Sequence, residues 1–321
     1  MKVGIMMALF GRQTLDQALE IVAKAGVEAV EIGTGNYPGS PHCPVDDLLQ
    51  SQVALNNWKA KIRDKGLEIS ALSCHGNPLH PDRKFAESNN EVHRKTVKLA
   101  RKLGVEVVIN FSGCPGDSDK AAAPNWVTCP WPPDFANIIK WQWEKKVIPF
   151  WRREAKFAKE NNVKLAFEMH PGMLAYNVET LHRLRQAVGP MLGCNFDPSH
   201  LFWNGVDAVA AIRALGDAIY HVHAKDCYVD PLNVSVNGCN DAKPYTEIAR
   251  RAWTFRTIGY GHDMAVWKGI ISALRLVGYD YVISIEHEDP LMSIDEGLAK
   301  GAAALKEAAM FEPPGEAFWT Q

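Results

Sequence analysis

A chain of 321 residues is long enough for one large α/β barrel or two ordinary domains. With 47% hydrophobic and 22% charged residues it can bury a sizeable core, and a formal charge of −2 gives no electrostatic case for nucleic acid or an anionic membrane. No stretch of about 18 apolar residues predicts a spanning helix, and seven cysteines, an odd number without a Cys-x-x-Cys pair, point to free thiols in a reducing cytoplasm.

The first strand is predicted over 2–9 and follows Met1 without a signal-type cleavage site. Thr14-Leu-Asp-Gln17 reads as a capping box, with Leu15, Leu19 and Val22 continuing on one helical face. A helix-then-strand grammar repeats from there. Helical stretches stop at Gly26, Gly66, Gly104, Asn162, Gly189, Gly216 and Gly278, residue types that supply the left-handed cap turning the chain back into a sheet. The strands that follow are predicted over 27–33, 68–74, 105–111, 163–168, 192–197, 219–224 and 281–286. Eight strands alternating with helices predict a parallel sheet closed into a (β/α)8 TIM barrel. A doubly wound open sheet would carry Gly-x-Gly-x-x-Gly after its first strand, and this chain does not. The barrel is expected as one domain over 1–310, with 311–321 a C-terminal arm. Two strand-to-helix loops are long, 112–133 with Trp126 and Trp131, and 227–262 with Trp253, Phe255 and Arg256. Loops of this length on a catalytic rim serve as lids or docking surfaces, and their aromatics either stack on a sugar ring or pack the loops down.

Four successive predicted strands end in a carboxylate or imidazole: Glu168, Asp197 with His200, His223, and Glu286. The C-terminal rim of such a barrel is where catalytic groups gather. In His221-Val-His223 the period of two puts both rings on one face, so one is a ligand and the other a core or supporting histidine. His223 lies nearer the rim and is the favoured ligand. Glu168, Asp197, His223 and Glu286 form an oxygen/nitrogen set without thiolate, which suits one divalent cation. Mn²⁺ is the preferred expectation, with Mg²⁺, Zn²⁺ or Co²⁺ as alternatives. His170, two residues beyond Glu168, is expected on the same rim as a general base or as a donor to a ligating carboxylate. His75 and Asn110 end the third and fourth strands and are candidates for hydrogen bonding to substrate hydroxyls, as Trp126 and Arg256 are for contacts from the loops. Lys225-Asp226 are weaker candidates.

The motifs Phe167-Glu168-Met-His-Pro, Asn195-Phe-Asp197-Pro-Ser-His200, His221-Val-His223-Ala-Lys-Asp226 and Ser284-Ile-Glu286-His together resemble those of xylose-isomerase-like TIM barrels of the sugar phosphate isomerase/epimerase family. The resemblance runs from Met1 to about residue 310. It implies that the positions of Glu168, Asp197, His223 and Glu286 hold the metal, that His200 touches substrate and that the two glutamates exchange a proton. The expected activity is metal-dependent isomerisation or epimerisation of a keto sugar in the cytoplasm, in a homo-oligomer. The chain is also similar to the catalytic subunit of bacterial C-glycoside deglycosidases, which implies a lyase acting on 3-oxo-glycosides beside a small partner subunit. Endonuclease IV, a DNA-repair nuclease, is a more distant likeness, since this chain has Asn110 where that enzyme has histidine. The insertion after Cys227 departs from the ketose 3-epimerases and leaves the substrate open.

Overall fold

A computed structural model describes residues 1–317 and residue 319. Its eight barrel strands are β1 (Lys2–Met6), β2 (Ala29–Gly33), β3 (Glu68–Ser73), β4 (Val107–Asn110), β5 (Lys164–Glu168), β6 (Leu192–Phe196), β7 (Ile219–Ala224) and β10 (Val282–Ile285). Each pairs in parallel with its neighbours, and β10 closes the ring onto β1. Every predicted strand is present, β7 with the predicted bounds and the others shorter by one to three residues. The Thr14 capping box is formed, and Gly104 (φ 75°) and Asn162 (φ 56°) take the left-handed conformation their joints require.

The period of two divides each strand between two environments. Val3, Ile5, Val30, Ile32, Leu72, Val108, Leu165, Phe167, Phe196, Val222, Ile283 and Ile285 pack outward in the main core, with helical residues such as Leu19, Leu99, Trp151 and Leu274. The alternate positions face the barrel axis. On the β3–β5 side these are small or apolar, Ala71, Val107, Ile109 and Ala166. Elsewhere they are polar and buried: Glu31, Asn195, His221, His223 and Ser284. Most of these groups bond to one another, Glu31 to His223, His221 to Asn195 and Asn195 to Glu168, so the axis carries a hydrogen-bonded column that ends at the C-terminal rim.

The loop expected over 227–262 has structure of its own. β8 (Asp226–Val229) pairs antiparallel with β9 (Trp253–Arg256), with a short helix Pro231–Asn237 between them. Trp253 stacks on Trp203 at 4.8 Å and 7°, so its aromatic packs the hairpin onto the barrel. All seven cysteines are unbridged. Among the described residues no helix is long and apolar enough to cross a membrane. Of the expected C-terminal arm, residues 318, 320 and 321 lie outside the described residues.

Candidate active site

The inner column of each strand delivers its last side chain to one point. Glu168 is the final residue of β5, Asp197 follows β6, His223 lies in β7 and Glu286 follows β10. His223 Nδ1 is 3.1 Å from Glu168 Oε2 and 3.0 Å from Glu286 Oε2. One donor atom from each of the four residues falls within 4.8 Å of the others. His200 Nε2 lies 3.2 Å from Glu168 Oε1 and 3.3 Å from Asp197 Oδ2, and His75 Nε2 lies 3.2 Å from Glu168 Oε2.

Burial alone would raise the Glu168 carboxyl, but His75, His200 and His223 around it hold it well below the usual carboxylate range. Burial is likewise outweighed at Glu286, where Lys225 and His223 lower the carboxyl. Both glutamates are therefore anions. His223, against the effect of burial, is pushed up by Glu31, Glu168 and Glu286. Lys225 is buried with its ammonium 3.2 Å from Asp197, 3.0 Å from Glu286 and 3.1 Å from Glu288, and these carboxylates keep it protonated.

These groups attract one another, yet Asp197 Oδ2, His223 Nδ1 and Glu286 Oε2 are buried with no hydrogen bond of acceptable geometry. Buried polar atoms in that condition are costly unless something else satisfies them. Three carboxylates and one imidazole nitrogen converging on a point form the donor set of a divalent cation. The four residues fit the ion that their types predict.

Above the cluster opens a cavity of about 300 Å³. Its lining joins the apolar Met6, Leu9, Tyr37 and Phe111 with the polar Glu168, His170, Lys225, Glu286 and Glu288. His170 lies between Phe111 (4.6 Å) and His200 (4.2 Å). Its Nδ1 is 2.6 Å from the Pro171 carbonyl oxygen, so Nδ1 carries the proton and Nε2 is left as an acceptor. Burial, then the neighbouring His200, pull its pKa down to about 3.

The model of the xylose isomerase-like TIM barrel family matches residues 19–308. The chain belongs to that family. This xylose isomerase-like barrel is 39% identical over 310 residues to the uncharacterized protein YfiH of Bacillus subtilis, covering 96% of this chain and 99% of that one. It is 23% identical over 223 residues to an inosose dehydratase of Geobacillus kaustophilus, 69% of this chain and 65% of the relative. Among solved structures, a D-tagatose 3-epimerase-like protein superposes with a TM-score of 0.64 at 20% identity, covering 96% of this chain and 97% of that one.

Within this family member the structure brings Glu168, His170, Asp197, His200, His223, Glu286 and His75 together, but not Asn110, Trp126 or Arg256. Asn110 has the opposite parity to Val107 and Ile109 around the strand, so it faces outward. Its Oδ1 accepts from His93 Nδ1 at 3.2 Å and from Cys74 Sγ at 3.1 Å. Trp126 packs edge-on against Tyr176 at 5.5 Å, and Arg256 pairs with Asp289 at 3.0 Å, both away from the cavity wall. Trp126 and Trp253 thus hold their loops down, whereas Trp131 is exposed. Sequence reasoning passed over Glu31 and Phe111 and undervalued Lys225. Phe111 was available from parity, being next on the inner face after Val107 and Ile109. Asp226 proves to be a structural hub. Its carboxylate accepts from the backbone N–H of Gly259, Gly261 and His262 and from Trp267 Nε1.

Proposed function

We propose that this protein is a metal-dependent enzyme acting on a neutral keto sugar or cyclic polyol ketone, and that it removes the proton next to the carbonyl. The observation that carries this reading is the convergence of Glu168 with buried atoms of Asp197, His223 and Glu286 that lack a hydrogen bond, beside a cavity lined by a neutral histidine. A divalent cation held by Glu168, Asp197, His223 and Glu286 would supply Lewis-acid polarisation of a carbonyl oxygen, which makes the adjacent C–H acidic.

The chain's own groups divide the remaining work. Glu168 and Glu286 stand on β5 and β10, separated around the barrel by β6 and β7, and so address a bound ring from different sides. Both are ionised at rest, and either carboxylate can take the proton. His170 Nε2, unprotonated, is a further acceptor facing the substrate. His200 and His75, each within 3.2 Å of Glu168, orient its carboxylate. Return of the proton to the neighbouring carbon isomerises the sugar, and return to the opposite face epimerises it.

Charge argues for an uncharged substrate. Lys225 is the one lysine or arginine among the cavity's lining residues, and three carboxylates already surround it. A phosphate or carboxylate beyond the cation would meet Glu286 and Glu288 with no unpaired lysine or arginine in the lining to receive it. The same acidic lining opposes a phosphodiester, so DNA-backbone cleavage gains no support. The apolar lining residues Met6, Leu9, Tyr37 and Phe111 suit the C–H groups of a sugar or polyol ring.

β-Elimination is the second reading, favoured by the inosose dehydratase relative. The same proton abstraction, with a leaving group on the next carbon, expels water or, from a 3-oxo-glycoside, the aglycone. The two readings separate in D₂O with metal-loaded protein and a panel of neutral ketoses, inososes, 3-oxo-glycosides and phosphorylated counterparts. Deuterium next to the carbonyl of an isomeric sugar supports isomerisation, and a dehydrated or deglycosylated product supports elimination. Exchange confined to phosphorylated sugars, or absent throughout, rejects the proposal.

A further inference from the structure

Below the cation cluster, on the side away from the cavity, lies a carboxylate that the chemistry above does not use. Glu31 is the third residue of β2 and is fully buried. Its Oε2 is 2.8 Å from His223 Nε2, and its Oε1 accepts from the Ser73 hydroxyl. Glu31 does not line the cavity and so touches no substrate. A carboxylate sealed inside a barrel is expensive to keep, which asks what it does there.

An imidazole ring presents one nitrogen with a proton and one with a lone pair, and its partners decide which is which. At His223 the two nitrogens face opposite ways. Nε2 points to Glu31, while Nδ1 points between Glu168 Oε2 and Glu286 Oε2, at 3.1 and 3.0 Å. A carboxylate can only accept, so the contact with Glu31 assigns an N–H to Nε2 and leaves Nδ1, on the side of Glu168 and Glu286, as the nitrogen that would give up its proton to a cation. The neighbouring His221 has no such freedom, because its Nδ1 is 3.0 Å from Asn195 Oδ1 and its Nε2 is 3.3 Å from Ser70 Oγ. Both of its nitrogens are committed to the column, which favours His223 over His221 as the ligand. Asn195 in turn donates to Glu168 Oε2 at 3.0 Å, so the column braces two of the four ligands from beneath.

We infer that Glu31 is a positioning residue that fixes His223 in the Nε2–H form and thereby sets the site's affinity for its cation. The inference rests on the metal-site reading above. Supporting carboxylates of this kind act by orienting the ring and raising the basicity of its free nitrogen, and their loss costs roughly 10- to 100-fold in metal affinity.

The test is calorimetric titration of Co²⁺ into the metal-free full-length protein and into Glu31→Gln and Glu31→Met, with the melting temperature of each metal-free form. The expected result is a graded loss of affinity, about 10-fold for Gln, which keeps a neutral acceptor, and nearer 100-fold for Met, which keeps none. Undiminished Co²⁺ affinity in both variants overturns the inference while leaving the four-ligand site standing. Wild-type protein that binds no Co²⁺ overturns the site itself. Should either variant fail to fold, the wild type decides alone. With ¹¹³Cd²⁺ bound to ¹⁵N-histidine-labelled protein, the cadmium coupling of His223 is expected on Nδ1, with the proton retained on Nε2. Coupling on Nε2 would place the cation among Glu31, His221 and His223 instead, and would overturn the inference.

Discussion

Exchanging Glu168 or Glu286 for glutamine removes one negative charge and one base while keeping the side chain's shape. Each variant is expected to fold, to lose at least half of its bound divalent ion and to show turnover reduced below detection. Metal analysis and a solvent-exchange assay check this, and full activity in either variant would exclude that glutamate from the proposed chemistry. His170→Ala is expected to keep its metal and to lose about 10²- to 10⁴-fold in rate, the usual contribution of a positioned acid–base group. Loss of metal instead would make His170 a support for Glu168. At this scale the convergence of Glu168, Asp197, His223 and Glu286 was legible, because residues that end apolar strands on a barrel rim have few other places to point. Glu31 was not legible. Within Ala29-Val-Glu-Ile-Gly33 it looks like an isolated acid in an apolar run, and its meaning depends on His223, which lies far away in the chain and meets it only across the barrel. Asn110 misled for a related reason. Its place at a strand end suggested the rim, whereas its parity points it at His93 on the helix behind.

Single elements explain why the rim holds its shape. The segment after β7 leaves the barrel as a hairpin and returns through Gly259-Tyr-Gly261-His262, where Asp226 gathers three backbone N–H groups and the indole of Trp267. Gly261 belongs there on steric grounds, since a Cβ would fall 2.5 Å from the Cys227 carbonyl group. Asp226→Ala would leave these buried donors unmatched, at about 1–3 kcal/mol each. A loss of at least about 3 kcal/mol in unfolding free energy is expected by denaturant titration, and a change under about 1 kcal/mol would show that the hairpin is held by its aromatics alone. Strand and helix order was readable because a glycine or asparagine stands at each of the seven helix-to-strand joints and a barrel strand follows it. The hairpin was not readable as such. Its two strands are four residues each and are separated by the 23 residues 230–252 with no turn motif joining them, so only the folded barrel brings them into register.

Taken as a whole, the molecule surrounds a polar axis with a continuous apolar shell, and this sets how it answers to pH. Burial holds His93 and His221 neutral, each with its pKa pushed down to about 4 from the usual 6.5. The unfolded chain takes up protons at these residues near pH 6.5 while the folded chain does not, so stability falls as pH drops from about 6.5 towards 4. Glu31, held down to about 2 by the net effect of its histidine partners against burial, adds a loss of the same sign below pH 4.5. His223, whose pKa is raised, acts in the other direction. Its contribution is complete below about 6.5 and fades as pH climbs through the raised value. The melting temperature of the metal-free protein is therefore expected to peak near neutrality and to fall steadily between pH 6.5 and 4. A melting temperature that rises across that interval would mean that these histidines are solvated and charged.

The claim on which the rest depends is that Glu168, Asp197, His223 and Glu286 converge in order to hold one divalent cation. Anomalous diffraction from crystals grown with Mn²⁺ tests it most directly. The account predicts a single strong peak bonded to all four side chains. A map without a peak there, or with manganese bound only elsewhere on the chain, would contradict it.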